Sequence, residues 1–175
     1  MRRKRSYRVQ LGFLVGALYL WIAEPSPESF IIGAVCMVLG ETLRIVSAGT
    51  LVKYDGVTRD GIYTYTRNPL YIGSFLIGTG ACIMGKNFEF TLLFLLLFFY
   101  FYTRTIAREE RFLSQRYGKD YLQYISEVPR FIPNHFSIRT VLSSVHISQA
   151  IRNREHLTIL GIFALLVIMI VKIII

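Results

Sequence analysis

The apolar residues of this chain come in unbroken blocks, and blocks of that kind cannot be hidden in a water-soluble core. They run from Val9 to Ala23, Ser29 to Ala48, Leu70 to Met84, Phe88 to Tyr102 and Leu157 to Ile175. Hydrophobic residues fill 53% of the 175 positions, above the roughly 45–50% of soluble domains. A bilayer core is crossed by about 20 helical residues, within a range of about 17–25. The second and fifth blocks meet that length. The other three reach it by borrowing interfacial Tyr, Trp and charged flanks. The expected fold is all-α, a polytopic membrane helical bundle of about five transmembrane helices.

Charge gives the expected topology. The net +9 is uneven: Arg2, Arg3, Lys4, Arg5 and Arg8 precede the first block, and Lys53, Arg59 and Arg67 lie in the second link. Nine further basic residues fall between Thr103 and His156, whereas Glu24-Pro25-Ser26-Pro27-Glu28 has none. The positive-inside rule then puts the N-terminus, the link around Tyr63 and the segment 103–156 in the cytoplasm. No small-residue cleavage site precedes Glu24, so the first block reads as a retained anchor. The basic surface suits anionic lipid headgroups; no nucleic-acid recognition motif accompanies it. Cys36 and Cys82 lie inside apolar blocks, and His135, His146 and His156 lack ligand spacing, so no metal site is expected. The chain divides into an N-terminal transmembrane hairpin (1–48), a core of loop, hairpin and cytoplasmic helix (49–133), a basic amphipathic linker (134–156) and a C-terminal span (157–175).

Polar chemistry gathers at one boundary. Gly61 to Gly73 reads Gly-Ile-Tyr-Thr-Tyr-Thr-Arg-Asn-Pro-Leu-Tyr-Ile-Gly, where Pro69 restarts a helix after a crowded polar stretch. Before it, Asp55-Gly56 and Asp60-Gly61 suit tight turns. Glu41 and Arg44, three apart near the end of the second block, share a helical face and can pair. The fourth block continues without a breaker to Gly118. At about 100° per residue, Glu109 falls on the apolar side with Tyr102, Ile106, Phe112 and Leu113. A carboxylate there needs a cation: Arg67, Arg104 or a cationic ligand would serve. Glu110, about 100° round, reads as a flank or supporting group. Beyond Gly118, the Tyr121–Pro133 stretch suits either the membrane interface or a position over the bundle.

The ordered set Arg67-Asn68-Pro69-Leu70-Tyr71-Ile72-Gly73, Glu109-Glu110, Tyr117-Gly118, Tyr121, Tyr124 and Val128-Pro129 resembles the isoprenylcysteine carboxyl methyltransferase and phospholipid methyltransferase family. The resemblance covers Gly56 to Pro133. It implies an integral membrane enzyme that uses S-adenosylmethionine in a cytoplasmic pocket, in the plasma membrane of a prokaryote or the endoplasmic reticulum of a eukaryote. By that resemblance, cofactor-binding residues are Asp55, Gly56, Val57, Thr58, Tyr63, Asn68, Pro69, Leu70, Tyr71 and Glu109. Arg67, Tyr71, Glu110 and Arg104 are the candidates for catalysis and acceptor contact, with Tyr63 a further candidate base. The implied acceptor is lipophilic, a prenylcysteine-type carboxylate or a lipid headgroup entering from the bilayer. Two positions depart from the pattern. Asn68 stands where the family has His, and it does not titrate near neutral pH. Thr105 stands where carboxyl methyltransferases keep Arg, with Arg104 one residue away. The competing readings are a sterol-reductase-type membrane oxidoreductase and a non-catalytic scaffold or channel subunit.

Overall fold

The structure is a computed structural model that describes residues 3–52, 56–133, 135 and 137–175, with side chains from residue 10 onward except residue 11. Among the described residues it is all-helical: α1 (Arg3–Ile22), α2 (Pro27–Thr50), a 3-10 turn (Gly61–Thr64), α3 (Pro69–Gly85), α4 (Phe88–Glu127), α5 (Ile138–Ser143), α6 (Ile147–Arg152) and α7 (Glu155–Ile174). Among the described residues three helices, α2, α4 and α7, are long and apolar enough to cross a membrane. The apolar part of α1 (Gly12–Ile22) and the whole of α3 (Pro69–Gly85) fall short of that length. Five full-length spans were expected. For α3 the bounds are polar: Asn68-Pro69 starts it, and Lys86, at φ 51, ends it.

Local chemistry sets the helix ends. Ser26 and Ser29 form a capping box around Pro27 at the start of α2, which supplies orphan N–H groups with partners. Asn87 accepts from the Phe90 N–H at 2.7 Å to open α4. As expected, Gly118 breaks α4, with φ 51 and ψ −121, a conformation that only glycine adopts cheaply. The piece after it folds back. Tyr121, Tyr124 and Val128 are buried against Val57, Leu113 and Tyr117, and the Tyr124 hydroxyl donates to the Tyr63 carbonyl at 2.8 Å. The Tyr121–Val128 stretch therefore covers the loop.

Helices α2 and α3 meet backbone to backbone. A Cβ on Gly33 would stand 2.5 Å from the Gly80 carbonyl oxygen, and one on Gly40 would stand 2.7 Å from that of Gly73. Such small-residue contacts let helices approach where lipid supplies no hydrophobic drive. The apolar core joins Tyr19, Met37, Met84, Phe90 and Met169 from α1, α2, α3, α4 and α7. Lys172 of α7 donates to the Leu20 and Ala23 carbonyls at 2.8 and 2.5 Å, a cation at the C-terminal end of α1. Outside the core, Phe13, Trp21, Ile31, Val35, Leu96, Leu160 and Phe163 face outward. Apolar belts so exposed are stable in lipid rather than water, and the protein is an integral membrane protein.

Candidate functional site

The polar ends of α2, α3, α4 and α7 converge on a cavity of about 430 Å³, within the usual range for small-molecule sites. Gly56, Val57, Thr58, Tyr63, Arg67, Asn68, Pro69, Leu70, Tyr71, Glu109 and Glu110 all line it. Of the sequence candidates, Asp55 lies outside the described residues. Arg104 lines neither this cavity nor the apolar groove beside it; its guanidinium sits 4.1 Å above the Tyr100 ring. One residue of helix rotation from Thr105, which lines the apolar groove, turns Arg104 toward the aromatic flank.

The loop is latched to the segment after α4. The Arg67 N–H donates to the Pro129 carbonyl at 3.0 Å. The Thr66 hydroxyl and the Asn68 side-chain amide donate to the Arg130 carbonyl at 3.2 and 3.1 Å. Asn68, at the N-cap of α3, makes no side-chain cap bond; its amide serves the latch. Glu110 completes the latch, with Arg67 Nη1 at 3.1 Å and Arg130 Nη2 at 2.6 Å. Arg67 thus pairs with Glu110, where the sequence offered it to Glu109. Glu109 accepts from the Tyr71 hydroxyl at 2.7 Å and has no cation within ion-pair distance among the described residues. Its side chain is exposed to the cavity. Two guanidiniums, Arg44 and Arg67, and three carboxylates, Glu109, Glu110 and Glu155, line the cavity, so its described wall is net negative.

Burial, with the neighbouring Tyr124 phenol second, pushes the Tyr63 hydroxyl far above its ordinary range. That leaves Tyr63 a wall residue, unfit as a base near neutrality. Both Glu110 oxygens already accept from guanidinium groups, so it holds the loop.

Several wall residues were not among the sequence candidates: Arg44, Tyr117, Tyr121, Tyr124, Asn153 and Glu155. Arg44 was paired with Glu41 on sequence spacing. That pair is present, with Arg44 Nε 3.7 Å from Glu41 Oε2, and Glu155 adds a closer one, accepting from Arg44 Nε at 3.1 Å and Nη2 at 2.9 Å. The only sequence signal for Glu155 was an acid two residues before an apolar block.

A second, apolar groove of about 550 Å³ runs beside the first, between α1, α3 and α4. Phe90, Phe94, Phe98, Phe101 and Tyr102 line one side, and Val15, Tyr71 and Ser74 others. Tyr71 belongs to both cavities, and its ring meets Tyr102 edge-on at 4.9 Å.

Fold and cavities define a membrane-embedded helical protein that holds a polar, aromatic-walled pocket beside a lipid-facing groove. The phospholipid methyltransferase family model matches residues 28–120, and the chain belongs to that family. The chain is 36% identical over 94 residues to protein-S-isoprenylcysteine O-methyltransferase of Schizosaccharomyces pombe, covering 54% of this chain and 40% of that protein. It is 29% identical over 113 residues to protein-S-isoprenylcysteine O-methyltransferase B of Arabidopsis thaliana, covering 58% and 57%. It is 29% identical over 146 residues to protein-S-isoprenylcysteine O-methyltransferase of Dictyostelium discoideum, covering 73% and 62%. In these matches the chain spans less than two thirds of each relative's length. No solved structure matches it.

Proposed function

We propose that the protein is a membrane methyltransferase that binds S-adenosylmethionine in the polar cavity and methylates a lipophilic acceptor held in the apolar groove. The observation that carries this reading is Tyr71, the shared wall of the two cavities. A water-soluble donor and a lipid-soluble acceptor need such a boundary. The cavity also fits the donor's charge: its described wall is net negative, and Glu109 offers a carboxylate with no cation within ion-pair distance among the described residues. Tyr63, Tyr117, Tyr121 and Tyr124 give aromatic faces for a cationic sulfonium or an adenine ring.

The donor supplies a methyl group already activated on sulfur, so the chain's residues contribute alignment and exclusion of water. Gly56 to Thr58, Asn68 to Leu70 and Glu109 hold the donor. Arg67, clamped by Glu110, keeps the loop closed. Tyr71 donates to Glu109 from beneath and presents its ring to the acceptor's path. A carboxylate acceptor needs no base. An amine or hydroxyl acceptor gives up a proton, for which Glu109 is the wall carboxylate outside any ion pair among the described residues. We further place α1, α2, α3, α4 and α7 as five passes, α1 and α3 being completed by their interfacial flanks. The N-terminus and the polar cavity then face the cytoplasm.

Incubating membranes that contain the protein with methyl-labelled S-adenosylmethionine tests the reading. Label should enter a base-labile methyl ester or the lipid extract in proportion to the protein present. Purified protein that does not bind the donor in calorimetry overturns it.

A further inference from the structure

The segment joining α6 to α7 lies beyond the residues that the family model matches, yet it builds part of the cavity wall. The last carbonyls of any helix lack partners within the helix. Here, three from the end of α2 and its cap find them in one place. The His146 N–H donates to the Gly49 carbonyl at 3.0 Å. The Gln149 side chain donates to Leu51 at 2.8 Å, and the Asn153 amide donates to Ala48 at 2.8 Å and Leu51 at 3.1 Å. Leu51 is where α2 stops and the loop through Gly56–Thr58 begins. The loop's neck is then closed by Thr58, whose hydroxyl exchanges hydrogen bonds with the Val52 backbone at 3.3 Å. A second tie runs from Glu155 to Arg44 and on to Ser74, which accepts from Arg44 Nη1 at 2.6 Å. Ser74 lies in the turn of α3 that follows Tyr71. Asn153, Glu155 and Arg44 all line the cavity.

From this we infer that Asn153 and Glu155 are positioning residues of the donor site, Asn153 fixing the end of α2 at Ala48 and Leu51 from which the chain leads to Gly56–Thr58, and Glu155 fixing Arg44 beside Ser74. The inference rests on the reading of the cavity as a donor site. It makes α7 more than an anchor, because the inner end of that helix sets the cavity while its outer end, through Lys172, only caps α1.

The experiment uses the full chain in detergent or nanodiscs, with S-adenosylmethionine as the probe. Asn153→Ala and Glu155→Gln should each raise the Kd about tenfold, a change of about 1.4 kcal/mol, with kcat at saturating donor held within about twofold. Glu155→Asp, which keeps the charge, should recover part of the loss. In the Asn153→Ala protein the amides of Gly56–Thr58 should exchange hydrogen faster. Lys172→Met, which loosens α7 at its other end, should leave the Kd unchanged. Wild-type Kd in a folded Asn153→Ala protein overturns the inference, as does a Lys172→Met loss equal to that of Glu155→Gln. Failure of the wild-type protein to bind the donor refutes the donor-site reading itself, and this inference falls with it.

Discussion

Glu109 and Glu110 are chain neighbours with separate expected duties, and exchanging each carboxylate for its amide should separate them. Glu110→Gln keeps the shape and one acceptor oxygen but removes the charge between Arg67 and Arg130. The side chains of Arg67 and Glu110 are 14% and 19% exposed, whereas Arg130 is 52% exposed. The Arg67 contact therefore carries most of the effect. A hydrogen bond to a charged group contributes about 1.5–3 kcal/mol and a neutral one about 0.5–1.5, while a pair as exposed as Arg130 adds about 0–1. The net loss of stability is about 1–2 kcal/mol, which lowers the Tm by about 2–8 °C for a chain of this size. Glu109→Gln breaks no ion pair among the described residues and keeps an acceptor oxygen for the Tyr71 hydroxyl, so it should lower the Tm less than Glu110→Gln does. Its effect should appear in donor affinity: losing a charge-assisted contact to a cationic ligand weakens binding about ten- to a hundredfold. Thermal unfolding and calorimetry of the two purified variants read both quantities. A stable Glu110→Gln protein with impaired donor binding, beside a destabilised Glu109→Gln protein that binds normally, would refute the assignment.

Gly40→Ala should destabilise the protein by about 1–3 kcal/mol, as overpacking does, because its methyl would stand 2.7 Å from the Gly73 carbonyl oxygen; an unchanged unfolding midpoint would count against backbone contact between α2 and α3. Asn68→His should leave activity within about tenfold, or about 1.4 kcal/mol, and should add no break near pH 6.5 to the rate profile, since the Asn68 amide donates to the Arg130 carbonyl, a bond that an imidazole N–H can also make. Raised as it is by burial, the Tyr63 phenol stays protonated throughout the neutral range, so Tyr63→Phe should leave the shape of the pH–rate profile unchanged. Single cysteines at Ser26 and Gln115 should label from opposite faces of sealed vesicles; labelling from the same face would overturn the proposed pass order.

Much of this arrangement is written locally and could be read without coordinates. Gly118 breaks α4 where its neighbours are good helix formers, and Pro69 follows a run too polar to lie in a span. Gly56 and Gly61 take positive φ, 119 and 58, where Asp-Gly steps foretell tight turns. The cavity's loop residues follow from that stretch. What escaped the sequence depends on distance along the chain. Arg44 and Glu155 are separated by 111 positions, and no periodicity links them. The choice between Glu109 and Glu110 for Arg67 was also hidden, because it turns on the second cation, Arg130, arriving after the Gly118 break. Angular position on α4 alone favoured Glu109. The reciprocal glycines at 33, 40, 73 and 80 were visible as letters, but their pairing required the antiparallel register of α2 and α3.

That register has a mechanical consequence. A glycine seated on the opposite carbonyl at two levels works as a pair of notches, so α2 and α3 can tilt together but cannot shear past each other without driving backbone into backbone. The two helices form one strut, and everything fixed to its polar end, from Arg44 to Tyr71, moves as a unit. On the other side of α3 the contacts with α4 are made by rings: Phe94 seats on the backbone of Gly78, where a Cβ would run into its Cζ, and Phe75 meets Phe94, Phe98 and Phe99 at ring separations of 5.1–6.2 Å. Rings can rotate and part where backbones cannot. Any widening of the apolar groove thus falls to the aromatic seam between α3 and α4, while the α2–α3 side of the polar cavity keeps its shape.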